Sequence, residues 1–482
     1  MPPMPATLVV QKFGGSSLAD ADRIRRVARR IARERAQGSQ LVVVVSAMGD
    51  TTDELLALAA AITEEPDSRE LDMLLATGEH QSATLVSMAL HSLGVPAISL
   101  TGAQAGITTD GRYGRARIAH VDPRRVRAEL AAGKVVIVAG FQGASALANP
   151  TEATTSAAAT ATAASTAPAD ATTPAEPITS AAADTAGSAA LATAIHAAET
   201  TTLGRGGSDT TAVALAARLH ADRCQIFTDV RGIYTADPRL LPDARQLRVI
   251  GYEEMLEMAQ HGAQVMQTRA VELGWVNNVV IEVLSSFEDA PGTLIREDPF
   301  VEQRNKVRGL AHDRNVAKVT LVEVPDRPGV AAAIFTPLAE ASISVDIIVQ
   351  NIGHGGTTDI SLTLPKVDLA KARRILEPIV RELGAREMTT DSAVAKVSIV
   401  GAGIQNTPGY AARMFAALAS AGVNIEMIAT SEIRITCLIG EDSVEPALRA
   451  LHSAFQLARP DDVDSSAAVL AASGAAGPAI AS

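Results

Sequence analysis

Short apolar runs rich in β-branched residues alternate with longer stretches of helical periodicity through the first part of the chain. Apolar residues recur every three to four positions from Leu18 to Arg35, and Leu71 to Leu93 shows the same spacing, so both stretches predict helices. Strands separated by helices are typical of a mainly parallel sheet between helical layers, an α/β fold with ligands at the carboxyl ends of the strands. The predicted strands are Leu8–Phe13, Gln40–Ser46, Ala97–Leu100 and Val135–Ala139.

After residue 200 the alternation resumes. Arg223–Thr228 predicts another strand, and Asp229–Arg239 predicts an ordered loop at its end, because Gly232 and Pro238 punctuate it. A helix at Tyr252–Ala263 and closing strands at Val279–Leu284 and Gly292–Ile295 complete the predicted elements of this part of the chain.

The last third contains an internal repeat. Val319–Asn351 and Val397–Ser431 each predict a strand, a Pro-Gly loop, a helix, a small-residue turn and a second strand. Pro328-Gly329 and Pro408-Gly409 lie 80 residues apart. Two such units can pair about a pseudo-twofold axis and bind small ligands at the loop–helix junctions; a duplicated structural module without a ligand is the alternative.

Composition separates these parts. Residues 145–200 are almost entirely Ala, Thr, Ser and Pro, which predicts a disordered insertion. The segment beyond Pro460 is rich in Ala, Ser and Gly and is also predicted to be disordered. The net charge of −12 argues against a nucleic-acid partner, and no apolar run is long enough to span a membrane. Two distant cysteines and no secretory signal favour the reducing cytoplasm.

Two glycine-rich loops carry candidate chemistry. TLGRGGSDTT at Thr202–Thr211 precedes a helical run, with Ser208, Asp209 and Thr210 as candidate caps. Free N–H groups at a helix start bind anions, and the Arg205 guanidinium suits a carboxylate or a phosphate. A surface turn with one salt bridge is the alternative for this loop.

The other loop follows the first strand. Lys12 ends that strand, Gly14-Gly15 turn the chain, and Ser16-Ser17 are candidate caps of the next helix; Thr51-Thr52 are the candidate caps after the second strand. The Walker A pattern is absent, but a lysine and helix-start N–H groups are its ingredients.

These motifs resemble those of the aspartate kinases over nearly the whole chain. The stretches that carry the resemblance are KFGGSS (12–17), SAMGDTTDEL (46–55), TLGRGGSDTTA (202–212), TDV-GIYTADPR (228–239) and the tandem repeats ending in SEIRI (431–435). The resemblance implies a three-layer amino-acid kinase domain at residues 1–297, which includes the insertion. It implies ferredoxin-like α+β ACT domains at 314–391 and 392–460, and residues 461–482 are then a disordered tail.

The implied reaction transfers the ATP γ-phosphoryl group to the side-chain carboxylate of L-aspartate, at the start of lysine, threonine and methionine biosynthesis. A carboxylate nucleophile with a pKa near 3.9 is already ionised at pH 7, so positioning and charge neutralisation must supply the catalysis. By resemblance Lys12 is the catalytic cation, Asp209 orients it, Arg205 holds the substrate carboxylate and Glu79 holds its ammonium group. Thr52, Gly206, Gly207 and Ser208 then complete the substrate site. Mg²⁺ accompanies the nucleotide, with no protein metal site predicted, and the implied ATP-binding residues are Lys12, Phe13, Gly14, Gly15, Thr228, Asp229, Tyr234, Thr235, Ala236, Asp237, Pro238 and Arg239.

The repeats are expected to bind lysine, threonine or both as effectors, and to join chains into a homo- or hetero-oligomer. The implied effector-binding residues are Asp326, Gly329, Ala331, Asp346, Gln350, Tyr410, Ala411, Asn424, Ile425, Ser431 and Glu432.

The sequence departs from the family pattern at several positions. Arg231 replaces an acidic residue, Gln264 stands where a lysine contacts the ATP phosphates, and Val330 replaces an acidic residue after the first Pro-Gly pair. Val280 and Leu284 occupy positions where proline and arginine are common. Gln264 therefore raises the alternative of a catalytically weakened amino-acid-sensing subunit. A further alternative is another amino-acid kinase such as a glutamate kinase, which the RGGSD loop and the tandem repeats disfavour.

Overall fold

The computed structural model describes residues 7–145, 198–263, 265–297, 306–352, 355–405 and 407–459. The chain divides into two compact units, Met1–Asp229 and Val230–Ser482. Most of the expected insertion and all of the expected tail, together with Gln264, lie outside the described residues. In the described part of the chain, every helix is too short or too polar to cross a membrane.

A parallel sheet forms the centre of the first unit, as the sequence predicts. Its strand order there is β9-β1-β2-β6-β3, and all four neighbouring pairs are parallel. A smaller sheet has the order β5-β4-β7-β8. The strands are β1 (Leu8–Phe13), β2 (Gln40–Val45), β3 (Ala97–Leu100), β4 (Ile107–Thr109), β5 (Ile118–Val121), β6 (Val135–Ala139), β7 (Gln142–Ser145), β8 (Thr200–Thr202) and β9 (Arg223–Thr228).

The helices of this unit begin at residues other than those the sequence motifs predict. The Asp20 side chain caps the first helix by accepting from the Arg23 N–H, while Ser16 and Ser17 lie in a separate 3-10 turn at Gly15–Ser17. The second helix starts at Thr51 itself, after Asp50. The helices are α1 (Ala21–Ala36), α2 (Thr51–Ile62), α3 (Ser68–Ser92), α4 (Arg124–Ala131) and α5 (Gly207–Leu219).

Helix α5 starts earlier than the sequence predicts. Gly206, with a φ of 72°, is its N-cap, so Ser208, Asp209 and Thr210 lie in the first turn and do not cap it. This left-handed conformation is readily available to glycine, which lets the chain enter the helix directly from the loop.

In the second unit, a short three-stranded arrangement has the order β10-β12-β11, formed by β10 (Val249–Ile250), β11 (Ile281–Ser285) and β12 (Thr293–Ile295). Helices α6 (Tyr252–Gln260) and α7 (Thr268–Val276) accompany it. Helix α6 ends three residues before the predicted Ala263. Gly262 has a φ of 115°, and a Cβ there would lie 1.6 Å from the His312 carbonyl oxygen, so this close approach requires glycine.

The repeat has the predicted form. Each copy is strand, helix, strand, strand, helix, and the shared antiparallel sheet has the order β14-β15-β13-β16-β18-β17. Gly329 and Gly409 precede the equivalent helices with φ values of 95° and 104°. The elements are β13 (Gly309–Pro325), α8 (Val330–Glu340), β14 (Ile348–Ile352), β15 (Thr357–Leu364), α9 (Leu369–Leu383), β16 (Glu387–Val400), α10 (Tyr410–Ser420), β17 (Met427–Ser431), β18 (Arg434–Gly440) and α11 (Val444–Ala454).

Ion pairs join the two copies reciprocally. Lys318 of the first copy pairs with Glu426 of the second at 3.1 Å, and Lys396 of the second pairs with Asp346 of the first. Asp346 and Glu426 are equivalent residues of the repeat, so the two pairs follow its pseudo-twofold symmetry.

Candidate active site

Lys12 and Asp209 form a close ion pair in the first unit. The Lys12 Nζ lies 2.6 Å from the Asp209 Oδ1, and both side chains are nearly buried. Lys12 is next to last in β1, which lies between β2 and β9, and Asp209 comes from the first turn of α5, where the helix dipole favours a negative charge. Burial raises the pKa of the neighbouring Cys224 thiol, and the Asp209 charge adds to this effect, so the thiol stays neutral.

The glycine turn after β1 is closely packed. A Cβ at Gly15 would lie 2.8 Å from the Ala47 carbonyl oxygen and 2.9 Å from that of Gly49, and a Cβ at Gly14 would lie 3.5 Å from the Lys12 Nζ. The Phe13 ring is buried and stacks on Phe227 with 4.6 Å between centroids. The Phe13 side chain is therefore part of the core beneath the turn.

Glu79 comes from α3 and lies behind the same turn. It is only 3% exposed, and its Oε1 accepts from the Ala47 N–H at 3.0 Å. Its Oε2 is buried and has no hydrogen-bond partner within the described residues. Burial raises the pKa of Glu79 to about 7, against the opposing effect of the Ala47 hydrogen bond. A group that titrates near neutrality with an unsatisfied oxygen is suited to bind a cation.

The remaining predicted substrate residues surround the start of α5. Arg205 is exposed and its Nη2 lies 2.8 Å from the Asp53 Oδ1 of α2, the helix in which Thr52 is the second residue. A Cβ at Gly140, after β6, would lie 2.7 Å from the Ser208 Oγ. The ends of β1 and β6 and the start of α5 therefore meet at one edge of the sheet.

The predicted nucleotide residues fall in both units. In the first unit, Thr228 donates a hydrogen bond from its Oγ1 to the Asp229 Oδ1 at 3.1 Å, at the end of β9. In the second, Asp237 pairs with the following Arg239 at 2.8 Å. The hydrogen bond from Arg239 is the main cause that lowers the pKa of Asp237, although burial opposes it.

Thr235 and Ala236 are buried, unlike the other predicted nucleotide residues of the second unit. Thr235 is fully buried: its Oγ1 accepts from the Arg245 N–H at 2.9 Å and lies 3.1 Å from the His452 Nε2 of α11. Ala236 is also buried, in the core cluster of the second repeat. In the second unit these two residues connect the loop to the repeat, while Tyr234, Asp237 and Pro238 are only partly covered and Arg239 is exposed.

The predicted effector residues lie along loops, helix starts and edge strands of the repeats. In the first copy Asp326, Gly329, Ala331, Asp346 and Gln350 are all exposed. In the second copy Asn424 and Glu432 are exposed, and Tyr410, Ala411, Ile425 and Ser431 are partly covered. The Tyr410 ring stacks on Phe455 with 6.1 Å between centroids.

No local sequence pattern indicates Glu257, which connects α6 to the SEIRI turn between β17 and β18. Its Oε1 accepts from the Ser431 hydroxyl at 3.2 Å, and its Oε2 lies 2.8 Å from the Arg434 Nε and 3.2 Å from the His261 Nε2. Burial alone would raise the pKa of Glu257, but His261 and Arg434 together hold it below its usual value. Ser431, the predicted effector residue that is hydrogen-bonded to Glu257, lies 174 residues further along the chain, and a local motif cannot reveal a contact over that separation.

The residues that depart from the family pattern differ in their contacts and burial. Arg231 pairs with Glu288 at 2.6 Å. Leu284 is buried in β11, Val280 is partly covered, and Val330 is buried in the core of the first repeat. Arg231 is therefore already engaged by a carboxylate of its own unit.

Comparison with known proteins agrees with this architecture. The model of the amino acid kinase family matches residues 7–167 and 182–283, and ACT domain models match 318–383 and 397–455. The aspartokinase of Pseudomonas aeruginosa is 45% identical over 455 residues, covering 94% of this chain and 98% of its own. The aspartokinase of Corynebacterium glutamicum is 45% identical over 460 residues, covering 94% and 97%.

Two solved structures are also similar. Aspartokinase III of E. coli in complex with aspartate and ADP is 26% identical, with a TM-score of 0.70, covering 93% of this chain and 99% of its own. The same enzyme in complex with lysine and aspartate is 26% identical, with a TM-score of 0.64, covering 92% and 99%.

Proposed function

The chain belongs to the amino acid kinase family and, within it, to the aspartokinases, and from this premise we propose how its residues carry out the reaction. The enzyme transfers the γ-phosphoryl group of ATP to the β-carboxylate of L-aspartate, giving 4-phospho-L-aspartate. The observation that carries the assignment of residues is the 2.6 Å pair of Lys12 and Asp209 at the end of β1.

Lys12 neutralises charge between two anions. The aspartate carboxylate is ionised at neutral pH, so it needs no general base, and its approach to the triphosphate is opposed by electrostatic repulsion. A nearly buried ammonium group held by Asp209 is a preorganised charge, which is worth more at such a site than a mobile lysine in water. Asp209 acts here as the group that orients Lys12.

Glu79 and Arg205 recognise the amino-acid part of the substrate. The unsatisfied Glu79 Oε2 is suited to the substrate ammonium group, and Arg205 to its α-carboxylate. The Asp53 carboxylate that pairs with Arg205 is largely exposed and weakly held, so a substrate carboxylate can replace it. A site that binds both groups accepts an amino acid and discriminates against a dicarboxylate that lacks the ammonium group.

Mg²⁺ is proposed to enter with ATP. No cluster of three metal-ligating side chains occurs among the described residues, and Mg²⁺ at phosphoryl-transfer sites is held mainly by the substrate phosphates with one or two carboxylates. Asp229, exposed at the end of β9, is the carboxylate of the first unit that we assign to this role. The ion would neutralise phosphate charge, as Lys12 does from the protein side.

Regulation through the ACT domains is proposed to use lysine, threonine or both. Ser431, one of the expected effector residues, is hydrogen-bonded to Glu257 of α6, so an effector that engages Ser431 competes for that bond. The edge strands β14 and β17 carry the exposed Ile348 and Ile428 at equivalent positions, and we propose that chains associate there.

A hydroxamate assay tests the reaction directly. Purified protein with aspartate, Mg-ATP and hydroxylamine is expected to form aspartyl hydroxamate, and to form it more slowly when lysine, threonine or both are added. Glutamate in place of aspartate is the control for the alternative of a glutamate kinase. Absence of aspartate-dependent hydroxamate would overturn the activity, and a protein that binds effector without turnover would be the weakened sensing subunit, which the comparisons do not favour.

A further inference from the structure

A second buried carboxylate lies on α3, and the motifs of the family do not include it. Asp72 is 1% exposed. Its partners are backbone and hydroxyl groups, and within the described residues no ion pair to Asp72 is present. A carboxylate buried without a cation needs several hydrogen bonds to remain in the core, so those it makes define what it holds.

The hydrogen bonds of Asp72 tie together two loops. The Thr202 N–H donates to Oδ2 at 2.8 Å and the Thr202 hydroxyl donates to Oδ1 at 2.6 Å. The Gly114 N–H donates to both oxygens, at 3.0 and 2.9 Å. The Ala116 N–H in turn donates to the Thr202 carbonyl oxygen at 2.9 Å, so the loop between β4 and β5 is fixed against the end of β8.

Thr202 is the last residue of β8 and the first of the TLGRGGSD loop. Gly204 in that loop approaches the Gly114 carbonyl oxygen so closely that a Cβ would lie 3.2 Å from it. Arg205 follows at once, exposed and on no regular element, so its backbone is held between this anchored segment and the start of α5 at Gly207. Asp72 therefore fixes the base of the loop that presents Arg205.

Helix α3 carries Glu79 as well. Glu79 lies seven positions after Asp72, so both residues lie on nearly the same face of the helix, about 10 Å apart along its axis. One rigid helix thus holds the group assigned to the substrate ammonium and, through Asp72, the loop whose arginine is assigned to the substrate carboxylate.

We propose that Asp72 is a positioning residue for aspartate: its hydrogen bonds to Thr202 set the distance between Arg205 and Glu79. This rests on the substrate assignments of the proposed function. Because the hydrogen bonds of Asp72 within the described residues go to Gly114 and Thr202, and neither is an expected nucleotide residue, its loss should affect aspartate more than ATP. A displacement of about 1 Å at such a site can cost on the order of 10²-fold, so the expected rise in the aspartate KM is at least about tenfold.

The experiment compares the wild-type enzyme with Asp72→Ala, Asp72→Asn, Thr202→Val and Thr202→Ser in the hydroxamate assay. The asparagine amide can accept from the two N–H groups and donate to the Thr202 hydroxyl, so Asp72→Asn should recover most of the affinity that Asp72→Ala loses. Thr202→Val removes one hydrogen bond and should raise the aspartate KM, while Thr202→Ser keeps it and should not. The ATP KM is expected to stay within about twofold throughout.

Two control variants separate positioning from general stability. Asp67→Ala removes the N-cap of the same helix, and Asp110→Ala removes a carboxylate that holds the Arg112 and Arg117 N–H groups of the same β4–β5 loop. Either control can lower the melting temperature, but neither should raise the aspartate KM.

Three outcomes would overturn the inference. They are equal changes in the aspartate and ATP KM values, an Asp72→Asn variant as impaired as Asp72→Ala, and wild-type behaviour of Thr202→Val. If Asp72→Ala does not fold, the Thr202 pair still decides the question. Failure of the proposed function is distinct, because the wild-type enzyme would then show no aspartate-dependent turnover.

Discussion

Replacing Glu79 by glutamine should stabilise the fold at alkaline pH while weakening aspartate binding. Burial raises the pKa of Glu79 from 4.5 to about 7. Well below pH 4.5 the carboxyl group is protonated in both the folded and the unfolded chain, so the stability of the fold is unaffected by its charge. As the pH rises towards 7, the unfolded chain releases this proton first, and the folded state progressively loses stability.

The size of this loss follows from the shift. Raising the pKa from 4.5 to about 7, at about 1.4 kcal/mol for each tenfold change, amounts to about 3.5 kcal/mol, fully present above pH 7. Glutamine does not titrate and keeps an oxygen that can accept from the Ala47 N–H. The difference in unfolding free energy between Glu79→Gln and the wild-type protein should therefore grow by up to about 3 kcal/mol between pH 4.5 and pH 8.

Aspartate binding should change in the opposite direction. With a pKa of about 7, roughly one tenth of Glu79 is ionised at pH 6 and about nine tenths at pH 8, so the wild-type aspartate KM should fall about tenfold over that range. Glu79→Gln should show a high aspartate KM with no such fall, because no charge develops opposite the substrate ammonium group.

The assay pairs urea unfolding with steady-state kinetics at pH 5, 6, 7 and 8. Glu70→Gln is the control, because Glu70 is an exposed residue of the same helix that pairs with Arg69. It should alter neither profile. A stability difference that does not vary with pH would refute the raised pKa of Glu79, and a Glu79→Gln variant that keeps the tenfold fall in aspartate KM would refute the assignment of the ammonium site to Glu79.

Three further changes test the remaining roles. Lys12→Ala should lower kcat by about 10²–10³ with an unchanged circular dichroism spectrum, and an unchanged kcat would remove Lys12 from the mechanism. Arg205→Ala should raise the aspartate KM far more than the ATP KM, because the partner carboxylate loses a two-pronged donor; the reverse pattern would assign Arg205 to the nucleotide. Glu257→Gln should leave uninhibited turnover within about twofold but alter the effector concentration for half-inhibition, because the contacts of Ser431 and Arg434 with α6 are weakened; an unchanged inhibition curve would exclude this link.

The sheet strands could be predicted because strands buried on both faces read as continuous apolar runs. Five of the six residues of β2 are buried, and its observed bounds differ from the predicted ones by a single residue. Helix starts were less predictable, because Ser16, Ser17 and Asp20 all precede α1 and each is a suitable cap. Asp20 rather than Ser16 or Ser17 caps α1, and Gly262, just after the end of α6, packs against the carbonyl oxygen of His312, a residue far along the chain.

The same limit applies to the site. Lys12, Glu79, Arg205 and Asp209 belong to local motifs or their neighbourhood, so the sequence can indicate them. Asp72 has its hydrogen-bond partners Gly114 and Thr202 at separations of 42 and 130 residues, and no local pattern reports those contacts. A carboxylate within a helix, seven residues before another one that is expected in the site, was the only available signal.

The two buried carboxylates of α3 show how support and binding can be distinguished by their hydrogen bonds. Both oxygens of Asp72 accept from the loops it holds, so its bonding capacity is already used within the protein. Glu79 is almost as buried, yet its Oε2 has no hydrogen-bond partner in the described part of the chain, and its pKa is raised as a result of burial. An unsatisfied buried oxygen costs stability unless a ligand satisfies it. This loss of stability therefore falls on Glu79, where the substrate ammonium group can offset it. Asp72 instead keeps the loop with Arg205 in place for the carboxylate end of the same substrate.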